Sequence, residues 1–216
     1  MANLYVSTAG SDSFDGTAQL NILGNIGPKL TIGAAITAAT AGDTIYVARG
    51  TYTAPNATGW VISKPISLIG EGAGNNSGAS IGVILQRNNA HAGPIIDIQP
   101  PAGFSMSGLR IENFKLIRET AATVAVAGDY GVKCSLGAVA STKLVRPVFR
   151  NIIVAGTSDS GFYFKAGDGD DCVFIFCEFS HCEGNNTMGR GFLMETSPVE
   201  NAFICSTLSH CYFIDN

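Results

Sequence analysis

Two groups of residues in this 216-residue chain have the types and spacing to do chemistry. The first is a repeated triplet, Ser180-His181-Cys182 and Ser209-His210-Cys211. Cys beside His can form a nucleophile pair, the imidazole drawing off the thiol proton, or can bind a soft metal. The second is acidic: Asp168, Asp170 and Asp171 in Gly167-Asp168-Gly169-Asp170-Asp171, followed by Glu178 and Glu183. Paired carboxylates can cleave a glycosidic bond, one protonating the leaving oxygen while the other acts as nucleophile or base. The same oxygens could ligate Ca²⁺, which takes several hard donors. Asp and Gly are also ordinary turn formers, so a plain loop is the competing reading. If the segment is a site, Asp168, Asp170, Asp171 and Glu178 are its candidate catalytic residues. Aromatic residues such as Tyr130, Phe162, Tyr163, Phe164, Phe174 and Phe176 could line a sugar-binding groove, but their alternation assigns most of them to the interior.

The elements that must position these groups are short. Hydrophobic content of 46% against 14% charge suits one domain with a long buried core, and 26 glycines without a collagen period point to many tight turns. One helix is expected: Ile32, Ala35, Ile36 and Ala39 fall at i, i+3, i+4 and i+7 between Pro28 and Gly42. Short apolar or alternating runs follow at 44–48, 60–63, 66–69, 82–85, 94–98 and 109–117, each bounded by turn residues, which reads as strands. The second half then aligns on itself. Gly131, Gly161 and Gly191 are thirty residues apart, and Leu144-Val145 matches Phe174-Ile175 and Phe203-Ile204. In the same frame Ile111-Glu112-Asn113-Phe114 matches Phe149-Arg150-Asn151-Ile152, Phe179-Ser180-His181-Cys182 and Leu208-Ser209-His210-Cys211.

A repeat of this length is the mark of a solenoid, in which equivalent positions of successive coils stack. The apolar positions then continue buried columns. The Asn/His position continues a turn ladder, since Asn tolerates left-handed backbone and its amide can bond the next one above. Repetition at one phase assigns His181, His210, Cys182 and Cys211 to the scaffold rather than to a catalytic pair. The fold expected is all-β, a right-handed parallel β-helix with a short N-terminal capping helix. Residues 1–52 would form the first strand, loop, cap and first coil, and residues 53–216 the continuous coils.

With its Asn column and repeated phrase, the chain resembles the pectin-lyase-like right-handed β-helices. Its opening is similar in style to bacteriophage tailspike and fibre β-helices: Leu4-Tyr5-Val6-Ser7, Gly10-Ser11-Asp12, Asp15-Gly16, the helix, Gly42-Asp43-Thr44-Ile45-Tyr46-Val47 and Gly50-Thr51-Tyr52. The resemblance implies a virion β-helix protein, a tailspike, fibre or head/tail decoration, presenting a rigid surface to host polysaccharide and, as many such spikes do, cleaving it. Such a protein is expected as a homotrimer, made in the host cytoplasm and contacting other virion proteins. The alternative it implies is a free-standing polysaccharide lyase or glycoside hydrolase. Pectate lyases of the resembling family use carboxylate-held Ca²⁺ with a basic proton acceptor, a pattern that does not map residue by residue here. No cofactor is required, and Ca²⁺ is an optional ligand of the acidic loop.

Charge and hydropathy narrow the partners. Residues 1–109 carry 4 Lys/Arg against 5 Asp/Glu, residues 110–150 carry 7 against 3, and residues 151–216 carry 2 against 9. No basic cluster dominates as phosphate binding needs, so no nucleic acid is expected. The first residues lack a secretion-signal pattern, and no run reaches the ~18 apolar residues of a membrane span, so no membrane insertion is expected. The six cysteines match no paired Cys-x-x-Cys site and read as reduced thiols. Gly70-Glu71-Gly72-Ala73-Gly74 is glycine-rich but lacks the Lys-Ser/Thr of a phosphate loop.

Overall fold

Strand-forming runs of two to nine residues separated by turns cannot bury both faces alone, so they stack coil on coil. The computed structural model describes residues 1–55, 58–72, 82–87, 93–118, 127–137, 139–166, 174–175, 178–180, 183–185, 190–195, 203–204 and 206–214. Every strand pairing between them is parallel, and the chain is a right-handed parallel β-helix with three sheets. Sheet A runs through Asn3–Val6, Thr44–Val47, Ser67–Gly70, Arg110–Arg118, Val148–Ala155, Glu178–Ser180 and Thr207–Ser209. A bend splits it, and the second limb takes in Gly50–Thr53, Val83–Arg87, Glu183–Asn185 and Tyr212–Ile214. Sheet B holds Trp60–Ile62, Ile96–Ile98, Tyr130–Ser135, Ser160–Lys165 and Arg190–Glu195. Sheet C holds Ser105–Ser107, Lys143–Val145, Phe174–Ile175 and Phe203–Ile204.

The thirty-residue alignment is the observed register. Phe149 pairs with Ile111 and Phe179, Phe179 with Leu208, and Leu144 with Phe174. Inward columns such as Leu4, Ile45, Leu68, Ile111, Phe149 and Phe179 are buried. In the later coils the aliphatic column becomes aromatic: Phe149 and Phe179 stack at 4.8 Å, and Phe164 meets Phe179 edge-on at 5.3 Å. Trp60 is a 4%-exposed core residue heading the column Ile96, Val132, Phe162 and Phe192.

The bend in sheet A is where the Asn/His column sits. Asn113, Asn151 and His210 have φ of 66°, 50° and 52°, the left-handed region. The Asn151 side-chain amide donates to Asn113 Oδ1 at 2.9 Å, and the Asn113 amide donates to the Gly70 carbonyl at 3.3 Å. One coil earlier the position is glycine because a Cβ on Gly70 would lie 2.3 Å from the Asn113 carbonyl oxygen. His210 keeps the backbone of the ladder, but its side chain is exposed rather than interior. The reason is its place in the last described coil, where Leu208 too is 55% exposed. Cys211 is half-buried against the core, its thiol donating to the Phe179 carbonyl at 3.4 Å; His181 and Cys182 lie outside the described residues.

The helix, Ile32–Ala38, buries Ile32, Ala35 and Ile36 against the first coil. Thr31 caps it, its hydroxyl accepting the Ala34 N–H at 3.1 Å, and Asp12 fixes the cap by accepting the Leu30 and Thr31 N–H groups at 3.0 and 2.8 Å. The Lys64 ammonium donates to the Ala39 carbonyl at the other end. A polar bracket joins the coils where sheet A turns into sheet B. Asp129, fully buried, accepts from Arg118 Nη1 at 2.7 Å and from the Ser158 N–H and hydroxyl at 2.9 and 2.8 Å. The buried guanidinium of Arg87, whose backbone is in register with Arg118, donates to the Pro94 carbonyl. Burial lowers its pKa while the Asp129 charge opposes that shift.

Candidate functional site

In a β-helix the interior is spent on packing, so chemistry must come from outward positions, which recur every second residue and stack at ~4.8 Å per coil. On sheet B one outward column is Val61, Asp97, Lys133, Tyr163 and Leu193, and a second is Ser135, Lys165 and Glu195. A corner shifts the alternation at the start of the strand. A Cβ on Gly131 would point inward and meet Val154 Cγ1 at 2.3 Å, and Tyr130, before it, turns outward. Its ring lies on that of Tyr163, centroids 4.4 Å apart and planes within 7°.

Charged groups surround this pair. The Tyr163 hydroxyl donates to Glu195 Oε2 at 2.9 Å, and Lys165 Nζ is 3.8 Å from the same oxygen. Lys133 Nζ is 3.9 Å from Asp97 Oδ2, which also accepts from the Gln99 amide at 2.8 Å. Asp159, held by the Gly128 N–H at 2.8 Å, stands beside the Tyr130 hydroxyl. Burial, followed by the Asp159 charge, pushes the Tyr130 hydroxyl up to about 12, and burial with the Glu195 hydrogen bond raises that of Tyr163 further. Both phenols therefore stay protonated at neutral pH: they donate hydrogen bonds and do not serve as bases. The face combines an aromatic plate with carboxylates and ammonium groups in fixed rows.

The expectation that the aromatic set is mostly interior holds for its described members, and Phe176 lies outside the described residues. Phe162, Phe164 and Phe174 are fully buried and Tyr163 is 8% exposed beneath Tyr130, which the glycine corner moves out of phase with Val132 to a half-buried outward position. The signal for this face lay in the repeat itself: counting two and four residues past Gly131, Gly161 and Gly191 gives Lys133, Tyr163 and Leu193, then Ser135, Lys165 and Glu195.

Asp168, Asp170 and Asp171 lie outside the described residues; in the chain they follow the Ser160–Lys165 strand of sheet B. Glu178 is on the outer face of sheet A, half-exposed, 3.2 Å from Arg150 Nη2 of the preceding coil. It is thus on a different sheet from the tyrosine pair. A similar pair, Arg110 with Glu112 at 2.6 Å, occupies the coil before. Among the described residues no group of three or more His, Cys, Asp or Glu is placed to hold a metal ion. No helix among them is long and apolar enough to cross a membrane.

No protein-family model matches the chain, and no curated protein matches it. Among solved structures it is similar to a rhamnogalacturonan lyase, at 14% identity and a TM-score of 0.34 over 98% of this chain. The chain spans 66% of that protein's length. At that similarity the functional reading takes nothing from the likeness.

Proposed function

We propose that the chain is a glycan-binding β-helix whose contact surface is the outer face of sheet B. The observation that carries the reading is the parallel stack of Tyr130 on Tyr163 among Asp97, Lys133, Asp159, Lys165 and Glu195. A sugar ring has an apolar C–H face that suits an aromatic plate and a hydroxyl edge that suits fixed donors and acceptors. Rows of such groups repeating along the solenoid axis match a polymer that repeats along its own axis. The protonated phenols position hydroxyls and abstract no proton. Cleavage at this face would fall to Asp168, Asp170 and Asp171, which follow the Ser160–Lys165 strand of sheet B in the chain, whereas Glu178 would serve a glycan on the outer face of sheet A.

The test is binding of the full chain to an array of neutral and acidic polysaccharides, with cleavage read by reducing ends and by the absorbance of an unsaturated product. Tyr130→Ala is expected to weaken binding about two- to tenfold, an aromatic contact being worth ~0.5–1.5 kcal/mol, and Tyr130→Phe to retain most of it. An array silent towards the wild-type protein would sink the reading. Product formation that survives removal of Asp168, Asp170, Asp171 and Glu178 would remove them from the catalytic role. The biological setting we propose, from the resemblance of the opening residues, is a virion spike or fibre. It calls for a trimer in sedimentation, and a stable monomer counts against it.

A further inference from the structure

A second hollow lies over the first coils, on sheet A. Tyr5, Tyr46 and Ile69 are in register there as one outward column. The two rings stack at 5.6 Å, 20° from parallel, and Tyr46 is 38% exposed. With Gln19 and Leu20 of the opening loop and Glu71 beyond the third strand, they line a groove of about 360 Å³. That volume lies at the small end of ligand sites, roughly 300–1,000 Å³, and suits one or two sugar rings.

The groove also has hydrogen-bonding capacity that the chain itself does not use. Among the described residues the Tyr5 and Tyr46 hydroxyls and the Gln19 amide make no hydrogen bond, and the Glu71 carboxylate holds one backbone N–H, that of Arg49, at 3.3 Å. An aromatic floor with unfilled donors and acceptors at its rim favours a ligand that is apolar on one face and hydroxylated at its edge. Among the described residues none that lines the groove is basic, and Glu71 is acidic, so an anionic sugar is disfavoured. We propose that this groove binds a neutral pyranose unit, as a site separate from the sheet B face and standing whether or not that face binds glycan.

The experiment is a heteronuclear NMR titration of the full chain with maltose, lactose and chitobiose, with galacturonate as the anionic comparison. Saturable millimolar shifts are expected at the Gln19 side-chain amide and at Tyr46 and Glu71, with none from galacturonate. Gln19→Ala, on an exposed loop, and Tyr46→Ala should each weaken the titration several-fold to tenfold, and Tyr46→Phe less. The proposal is overturned if no neutral sugar gives saturable shifts, or if Gln19→Ala and Tyr46→Ala titrate like wild type. It is also overturned if the same resonances move with protein concentration alone, which would place a second copy on the exposed Leu20, Ile22 and Leu23 instead.

Discussion

At the scale of single residues, Asp43 shows how one carboxylate fixes the start of the coil. It accepts the Ala2 N–H at 2.6 Å and the Thr40 N–H and hydroxyl at 2.8 and 2.7 Å. These bonds, the Ala2 one foremost, lower its pKa from 3.8 to about 2. A depressed folded-state pKa contributes stability that is fully present above the unfolded value and is lost as pH falls through the folded one. The first coil should therefore loosen between about pH 4 and pH 2, and Asp43→Asn should lower the melting temperature at neutral pH while flattening that acid limb. Calorimetry across the range checks both. Asp43 carried no signal in the sequence beyond its place in the Gly42-Asp43 turn, because its partners Ala2 and Thr40 come from opposite sides of the helix.

At the scale of elements, the Asn ladder holds the sheet A bend. Asn151→Ala loses the 2.9 Å bond to Asn113 and forces alanine to φ of 50°, which together should cost about 2–3 kcal/mol. Asn151→Gly keeps the backbone at ease and should cost about 1 kcal/mol. Urea denaturation of the two variants separates side-chain bonding from left-handed strain. The ladder was legible because its residues repeat at one phase. Two strands were less so: Gly50–Thr53 reads as turn and alternating polar residues, and Ser105–Ser107 has a single apolar residue, Met106, to reveal it. Both form because the following coil offers an edge, Val83–Arg87 to the first and Lys143–Val145 to the second, which no local pattern encodes.

At the scale of the whole molecule, stability is the sum of contacts between adjacent coils, so bonds that span coils weigh more than their number. The Asp129 bracket is one: Arg118 and Asp129 belong to one coil, Ser158 to the next and Arg87 to the one before. Asp129→Ala would leave the Arg118 and Arg87 charges buried without that carboxylate, and a loss of about 3–5 kcal/mol is expected. The variant should also lose cooperativity, the denaturation curve broadening as coils on either side of the break unfold separately. An unchanged midpoint and slope would show that the bracket is not what joins them.

The sequence by itself determined the period, the parallel register of the later coils, the turn ladder and the helix at the start. Each of these is carried by residue type recurring at fixed spacing, and stacking makes spacing in the chain equal to position in space. The tertiary structure decided which outward residues meet. Tyr130 lies on Tyr163 because a glycine corner, tight against Val154, rotates one residue out of the alternation. Tyr5 meets Tyr46 across the whole opening loop and helix. Those meetings depend on corner geometry and on loops of unequal length, which change the position of a side chain without leaving a period in the sequence.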